Sequence, residues 1–152
     1  MKILDILTPK RLTGNLGERA AVRLLRRKGY RILEKNYVAL GSEIDIIASK
    51  RGVTAFIEVK TRNIKSIGLK EPRPASAVDS EKQRKIIKVA SYYTAHHPSE
   101  NRYRFDVIKV YVEGEGKGQR VKETRHLEAC FDKSTAFDSK YYFKRSKEGS
   151  RL

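Results

Sequence analysis

The chain has 152 residues, one cysteine, and 34 lysines and arginines against 18 aspartates and glutamates, which gives a formal net charge of +16. This length is typical of one domain with its own hydrophobic core, and a lone cysteine excludes an internal disulfide, so the composition argues against a secreted disulfide scaffold. No apolar run approaches the length of a membrane span, so we expect a cytoplasmic protein whose charge predicts a polyanionic partner, with nucleic acid favoured over an acidic membrane surface.

The N-terminal part is predicted to be a mobile arm followed by a helix. Residues 1–13 form the arm, and the helix is predicted over about 14–28. The leucines and alanines of the helix recur on one face, and its arginines, among them Arg19 and Arg23, lie on the opposite face. Glu18 lies at the margin of the apolar face. It is either a first-turn acid favoured by the helix dipole or a carboxylate directed at a site.

Three strands are predicted to follow. Residues 30–39 form the first, and residues 43–48 and 53–61 form a hairpin around a turn at 49–52. Both hairpin segments are rich in isoleucine, valine, phenylalanine and threonine, and lysine, arginine and glycine separate them, as is typical of strands joined by a tight turn.

Charged residues interrupt the apolar pattern of this hairpin. Glu58 and Lys60 share a face of the third strand, and a loop over 50–53 would set Asp45 directly opposite Glu58, with Cβ atoms about 5 Å apart. Two carboxylates that close repel unless a cation lies between them, and a hard divalent ion is the natural occupant. Lys60 could then stabilise a negative group brought to the ion. The alternative is a sheet with one face in water, on which the three side chains face solvent or pair with each other.

The second half of the chain predicts a loop, a helix and two further elements. Residues 62–78 are predicted to be a long basic loop, either a DNA-contacting flap or an ordinary surface loop. A helix is predicted over about 81–96, a strand over 102–112, and a strand or short helix over 121–131. Residues 132–152 form a basic tail that is either disordered or bound to nucleic acid.

Exposed basic residues are predicted along several of these elements. Lys82 and Arg84 lie at the start of the second helix, where cations suit a phosphate strand, and Arg19, Arg23 and Arg62 are further candidates for nucleic-acid binding. A solvated charged face explains them equally well. If they do bind nucleic acid, we expect an extended contact with backbone phosphates and little sequence specificity.

Five motifs occur in a characteristic order: Gly14-x-x-Gly17-Glu18-x-x-Ala21, Glu43-Ile44-Asp45-Ile46-Ile47-Ala48, Phe56-Ile57-Glu58-Val59-Lys60-Thr61-Arg62, Lys82-Gln83-Arg84 and Arg104-Phe105-Asp106-Val107-Ile108. Together they resemble the YraN family of bacterial proteins, which is similar to the archaeal Holliday-junction resolvases of the PD-(D/E)xK nuclease superfamily. The resemblance covers residues 14–131. It implies an α/β fold with a restriction-endonuclease-like core, a central mixed β-sheet flanked by helices in the order α-β-β-β-α-β-β.

The resemblance also implies a function, a metal-dependent endonuclease that hydrolyses DNA phosphodiester bonds, including those of branched or junction DNA. The implied catalytic residues are Glu18, Asp45, Glu58 and Lys60, the implied metal ligands are Asp45 and Glu58, and the auxiliary residues are Gln83 and Glu43. The implied cofactor is Mg²⁺ or Mn²⁺.

The expected partner is DNA, branched or linear, with RNA as the other candidate and no membrane. A homodimer that presents two sites would favour a substrate with two duplex arms. The alternative function is a nucleic-acid-binding module that keeps the nuclease fold without turnover.

Overall fold

A five-stranded mixed sheet with one helix on each face forms the fold in the computed structural model, which describes residues 9–66, 78–99 and 101–133. In chain order the elements are helix α1 (Pro9–Arg27), strands β1 (Arg31–Ala39), β2 (Ser42–Lys50) and β3 (Val53–Asn63), a 3₁₀ turn (Ile64–Ser66), helix α2 (Ser80–His96), strand β4 (Arg102–Glu113), a second 3₁₀ turn (Gly116–Gly118) and strand β5 (Arg120–Phe131). The predicted α/β class and the predicted order α-β-β-β-α-β-β are confirmed. Neither helix of the described part of the chain is long and apolar enough to cross a membrane.

Helix α1 is longer than the sequence predicted. It begins at Pro9 rather than at residue 14, so residues 9–13 are helical. Proline is well suited to the first position of a helix, because its φ is already helical and the missing N–H would have no intrahelical partner there. Three predicted segments lie mostly outside the described residues, which leave out 1–8 of the arm predicted over 1–13, 67–77 of the loop predicted over 62–78, and 134–152 of the tail predicted over 132–152.

The sheet order is β1-β2-β3-β4-β5, and β3 pairs with β4 in parallel while the other neighbours are antiparallel. A two-residue turn joins β2 to β3, with positive φ at Arg51 (47°) and Gly52 (74°). Two positive φ values characterise the type I′ turn, which matches the twist of a hairpin. The turn pairs Lys50 with Val53 and Ile46 with Ile57, which is the predicted register.

Alternation along the strands divides the core into two clusters, one on each face of the sheet. The α2 side contains Ile44, Ile47, Phe56, Val78, Ile86, Ile87, Val89, Ala90, Tyr93, Phe105, Val107 and Phe131. The α1 side contains Ala20, Ala21, Val22, Leu25, Tyr30, Ile46, Ala48, Ala55, Ile57, Ile108, Val110 and Val112. Each helix therefore buries one apolar face on the sheet and leaves its basic face outside.

Helix α1 approaches β3 closely at Gly17. A Cβ at this position would lie well inside contact distance of Thr61 Oγ1 and 3.0 Å from Thr61 Cβ. We expect Gly17→Ala to lower the free energy of unfolding by about 2 kcal/mol, because the helix must move away from a well-packed sheet. Urea denaturation measures the change. Gly14→Ala is the matched control, since nothing lies within 4 Å of a Cβ there and alanine favours the helix. Equal effects of the two substitutions would contradict the close approach.

Candidate functional site

Strands β2 and β3 separate at Asp45. Their pairing ends at Ile46 and Ile57, and the next pair in the same register would be Asp45 and Glu58. Instead, Asp45 Oδ2 accepts a hydrogen bond of 2.7 Å from the backbone N–H of Val59. The carboxylate therefore takes the place of a backbone acceptor and is held at the end of the ladder, beside Glu58.

The alternation of side chains breaks at the same residue. Ile44 and Ile46 would lie on one face of a regular strand, yet Ile44 packs in the cluster under α2 and Ile46 packs in the cluster under α1. Asp45 lies between them and lines a cleft on the α1 side. This irregularity lets one carboxylate interact with groups on both sides of the sheet.

Glu58 is buried on the α2 side, with 6% of its surface exposed. Its Oε1 lies 3.4 Å from Lys60 Nζ and 3.9 Å from Lys82 Nζ, but its buried Oε2 has no hydrogen-bond partner. Burial, followed by the charge of Asp45, raises the pKa of Glu58 to about 7, although the two lysines oppose the rise. An unpartnered buried oxygen beside a second carboxylate is what a divalent cation would satisfy.

Glu18 adds a third carboxylate to Asp45 and Glu58, and it lies on the α1 side of the sheet. Burial raises its pKa, the charge of Asp45 adds to the rise, and a hydrogen bond from the Asn36 side chain opposes it. Asp45 thus interacts electrostatically with Glu18 on one side and with Glu58 on the other. Glu43 contributes a smaller repulsion to Glu18, so the predicted auxiliary acid lies within electrostatic range of the site.

The donor set fits Mg²⁺ or Mn²⁺ better than a metal enclosed by protein ligands. Within the described residues, no group of three or more histidine, cysteine, aspartate or glutamate side chains is placed to hold a metal ion. Asp45 and Glu58, whose carboxylates interact electrostatically, are two candidate oxygen ligands, and Mg²⁺ is commonly bound through one or two carboxylates while it keeps several waters. Structural zinc, by contrast, takes four nitrogen or sulfur ligands.

The first turn of α2 lies beside Glu58. Asp79 caps the helix by accepting a 2.8 Å hydrogen bond from the Lys82 backbone N–H, and the Lys82 ammonium approaches Glu58. The predicted auxiliary residue Gln83 is buried, and its Nε2 donates to Val78 O at 2.8 Å. Its Oε1 has no hydrogen-bond partner, so it is a second buried acceptor in this part of the fold.

The structure separates the predicted basic residues. Arg19 and Arg23 line the α1 cleft, Lys82 pairs with Glu58, and Arg62 is exposed near the end of β3. Arg84 lines a different groove, together with apolar groups of α2. Arg26 also lines the α1 cleft, and the sequence did not single out its other polar residues, Lys35, Asn15 and Asn36, because their convergence depends on how α1 packs on the sheet.

A second polar cluster surrounds the buried carboxylate of Asp106, and no role was predicted from the sequence for its members. Asp106 is 0% exposed and accepts two 2.8 Å hydrogen bonds from Arg104, one of 2.7 Å from His126 Nε2 and one of 3.0 Å from the Ala129 N–H. Lys28 Nζ donates to His126 Nδ1 at 2.6 Å, and since an ammonium only donates, the Nε2–H of the ring faces Asp106. The cluster ties α1, β4 and β5 together.

The family model described as "Uncharacterised protein family UPF0102" matches residues 17–110, a range that includes Glu18, Asp45, Glu58, Lys60 and Gln83. A UPF0102 protein of Caldanaerobacter subterraneus is 43% identical over 107 residues, which is 70% of this chain and 84% of the relative. One of Chlorobium phaeobacteroides is 46% identical over 121 residues, 78% of this chain and 92% of the relative. One of Myxococcus xanthus is 35% identical over 124 residues, 81% of this chain and 91% of the relative.

Proposed function

The chain belongs to the UPF0102 (YraN) family, as its motifs predicted, and we propose from its carboxylate site that it is a metal-dependent endonuclease acting on DNA phosphodiester bonds. The observation that carries this proposal is the buried Glu58 Oε2, which lacks a hydrogen-bond partner and belongs to a carboxylate that repels the carboxylate of Asp45. A fold would not retain two repelling carboxylates and an unpartnered acceptor for stability alone, because each costs free energy.

Asp45 and Glu58 are the residues that would hold Mg²⁺ or Mn²⁺. When bound, the ion would supply a Lewis acid that polarises the scissile phosphate and lowers the pKa of water. Glu58 must be deprotonated to act as a ligand, and its pKa of about 7 means that ion binding strengthens as the pH rises toward that value. The hydrogen bond from Val59 fixes the orientation of Asp45, so the site is held rigidly before any ligand arrives.

In this proposal Lys60 acts on the substrate. Its ammonium lies 3.4 Å from Glu58 Oε1 and its side chain is 27% exposed, so it is both anchored to the site and accessible. A fixed cation beside a reacting phosphate stabilises the charge that develops in the transition state. Lys82, at 3.9 Å from the same oxygen, adds a second positive charge from α2.

The net charge of +16 supports DNA as the partner, branched or linear, and the same electrostatics accommodate RNA. A preference for four-way junctions follows if a homodimer presents two such sites to two duplex arms.

The test is cleavage of branched, flapped and linear DNA with Mg²⁺ or Mn²⁺. We expect Asp45→Asn to lower the rate at least about 10²-fold, because the amide oxygen keeps the hydrogen bond to Val59 while the negative charge is lost. Lys60→Ala should lower the rate by a similar factor. Glu115→Gln is the matched control, since Glu115 is an exposed acid whose ion pair is with Lys65, at 3.8 Å. Equal rates in all four proteins would identify a contaminating nuclease and overturn the proposal.

One observation favours the alternative of a nucleic-acid-binding module without turnover. Among the described residues, no three histidine, cysteine, aspartate or glutamate side chains are placed to hold one metal ion. Calorimetry with Mg²⁺ and Mn²⁺, in the presence of uncleavable DNA, separates the two functions. The nuclease requires ion binding that Asp45→Asn abolishes, and a protein that binds DNA but neither ion is the module.

A further inference from the structure

A cleft of about 590 Å³ runs between α1 and the strands β1 and β2 and reaches Asp45. Its lining consists of Asn15, Leu16, Glu18, Arg19, Val22, Arg23, Arg26, Lys35, Asn36, Asp45 and Ile46. The two carboxylates of this set belong to the candidate site, and the remaining residues have no part in the proposed chemistry. The cleft is therefore a surface that leads to the site from the α1 side.

Three arginines of the cleft form a row along α1. Arg19, Arg23 and Arg26 are exposed, and none of them forms a salt bridge with another residue of the described chain. At 1.5 Å per residue, the row spans about 10 Å from its first to its last member. One strand of nucleic acid advances about 3.4 Å per nucleotide along a helix axis, so the row has the length of about three successive phosphates.

The rest of the lining argues against a duplex as the occupant. Leu16 is a partly exposed apolar side chain of this lining, and Asn15 carries an exposed amide that both donates and accepts hydrogen bonds. A duplex presents phosphates and sugars to a protein surface and keeps its bases stacked inside, so it would place no base face on Leu16. An unpaired strand can lay its bases on apolar groups and expose their edges to amides while its phosphates meet the arginines.

We propose that this cleft, the α1 cleft, binds an unpaired strand of nucleic acid of about three nucleotides and leads it to Asp45. The consequence for the substrate rests on the proposed nuclease activity. If the cleft leads the strand to the nuclease site, the preferred substrate carries a single-stranded segment next to the cut, as a flap or a fork does. The binding step itself needs neither the metal ion nor turnover, so the two proposals can fail separately.

The test compares two triple variants that each remove three positive charges. The cleft variant combines Arg19→Ala, Arg23→Ala and Arg26→Ala. The control variant changes exposed residues that do not line the cleft and combines Arg27→Ala, Lys117→Ala and Lys122→Ala. Fluorescence anisotropy in EDTA measures the affinity for a labelled oligothymidine of about twelve nucleotides and for a blunt duplex. We expect the cleft variant to bind the oligothymidine about 30-fold more weakly, with a salt dependence reduced by about two in log–log slope, since each phosphate contact of a single strand contributes about 0.7.

The duplex should lose less than about threefold in affinity with the cleft variant, and the control variant should lose less than about threefold with either ligand. Equal losses for the oligothymidine and the duplex, or equal losses in both variants, would overturn the α1 cleft as a single-strand site. Arg23→Glu gives the same comparison with a single exposed substitution, should the triple variant fold poorly. Selective single-strand binding without cleavage would retain this inference and overturn the nuclease, whereas cleavage without single-strand selectivity would do the reverse.

Discussion

Glu58→Gln is expected to abolish cleavage and, in the same protein, to raise the stability of the fold at about pH 8. Glu58 is buried, its Oε2 has no partner, and its burial together with the charge of Asp45 raises its pKa to about 7. Glutamine has nearly the same shape without the charge. The shift from the ordinary value of 4.5 corresponds to a cost of at most about 3 kcal/mol for the ionised carboxylate, part of which the variant regains.

The pH dependence of this effect has a defined sign. Between pH 4.5 and about pH 7 the folded state binds more protons at Glu58 than the unfolded state does. The free energy of unfolding of the wild type should therefore fall as the pH rises through this window and level off above it, whereas Glu58→Gln lacks this contribution. Urea denaturation of both proteins across the window measures the difference. Parallel curves would show that Glu58 ionises normally in the folded protein.

The same variant should lose activity by about 10³-fold or more, because in the proposed nuclease Glu58 is a metal ligand at the reacting phosphate. Calorimetry should show that Mg²⁺ binding is lost with it. Glu115→Gln, which changes an exposed acid, should leave activity, ion binding and stability unaltered. A variant that becomes more stable while it loses activity is what a carboxylate retained for function predicts. Full activity in Glu58→Gln would remove Glu58 from the site.

Asp106→Ala is expected to destabilise the fold by about 3–5 kcal/mol, because it leaves buried cationic and polar groups without their acceptor. Burial by itself raises the pKa of Asp106, but hydrogen bonds from His126, Arg104 and the Ala129 N–H outweigh it and hold the pKa below 3.8. The stabilisation is therefore present above this ordinary value and is lost as the pH falls through the lower pKa of the folded protein.

Thermal and urea denaturation at neutral pH measure the loss. Glu123→Ala is the control, since Glu123 pairs with Arg125 at 2.7 Å on the exposed face of β5, and a surface pair contributes little to stability. If the two variants unfold alike, the buried network does not hold α1, β4 and β5 together. Asp106→Asn should also destabilise the fold, because an amide NH₂ group replaces one carboxylate oxygen and would then face another donor.

The chain by itself determined the elements and the pairing that set up the site. The turn at Arg51 and Gly52 and the alternation on either side of it specify the hairpin register, in which Asp45 and Glu58 directly follow the last pair, Ile46 and Ile57. These are local patterns, in which each residue acts through neighbours in sequence or across one turn. The order of the motifs identified the family for the same reason, since it too is a property of the linear chain.

The tertiary structure alone decided how the charges of these residues behave. The pKa of Glu58 depends on burial under α2 and on Lys82, which lies 24 positions later in the chain (82 − 58). Likewise, the α1 cleft exists because α1 crosses β1 and β2, and Asp106 meets His126 only when β4 and β5 pair. Burial and long-range contact are properties of packing, and an acid in a sequence motif carries no sign of whether water will reach it.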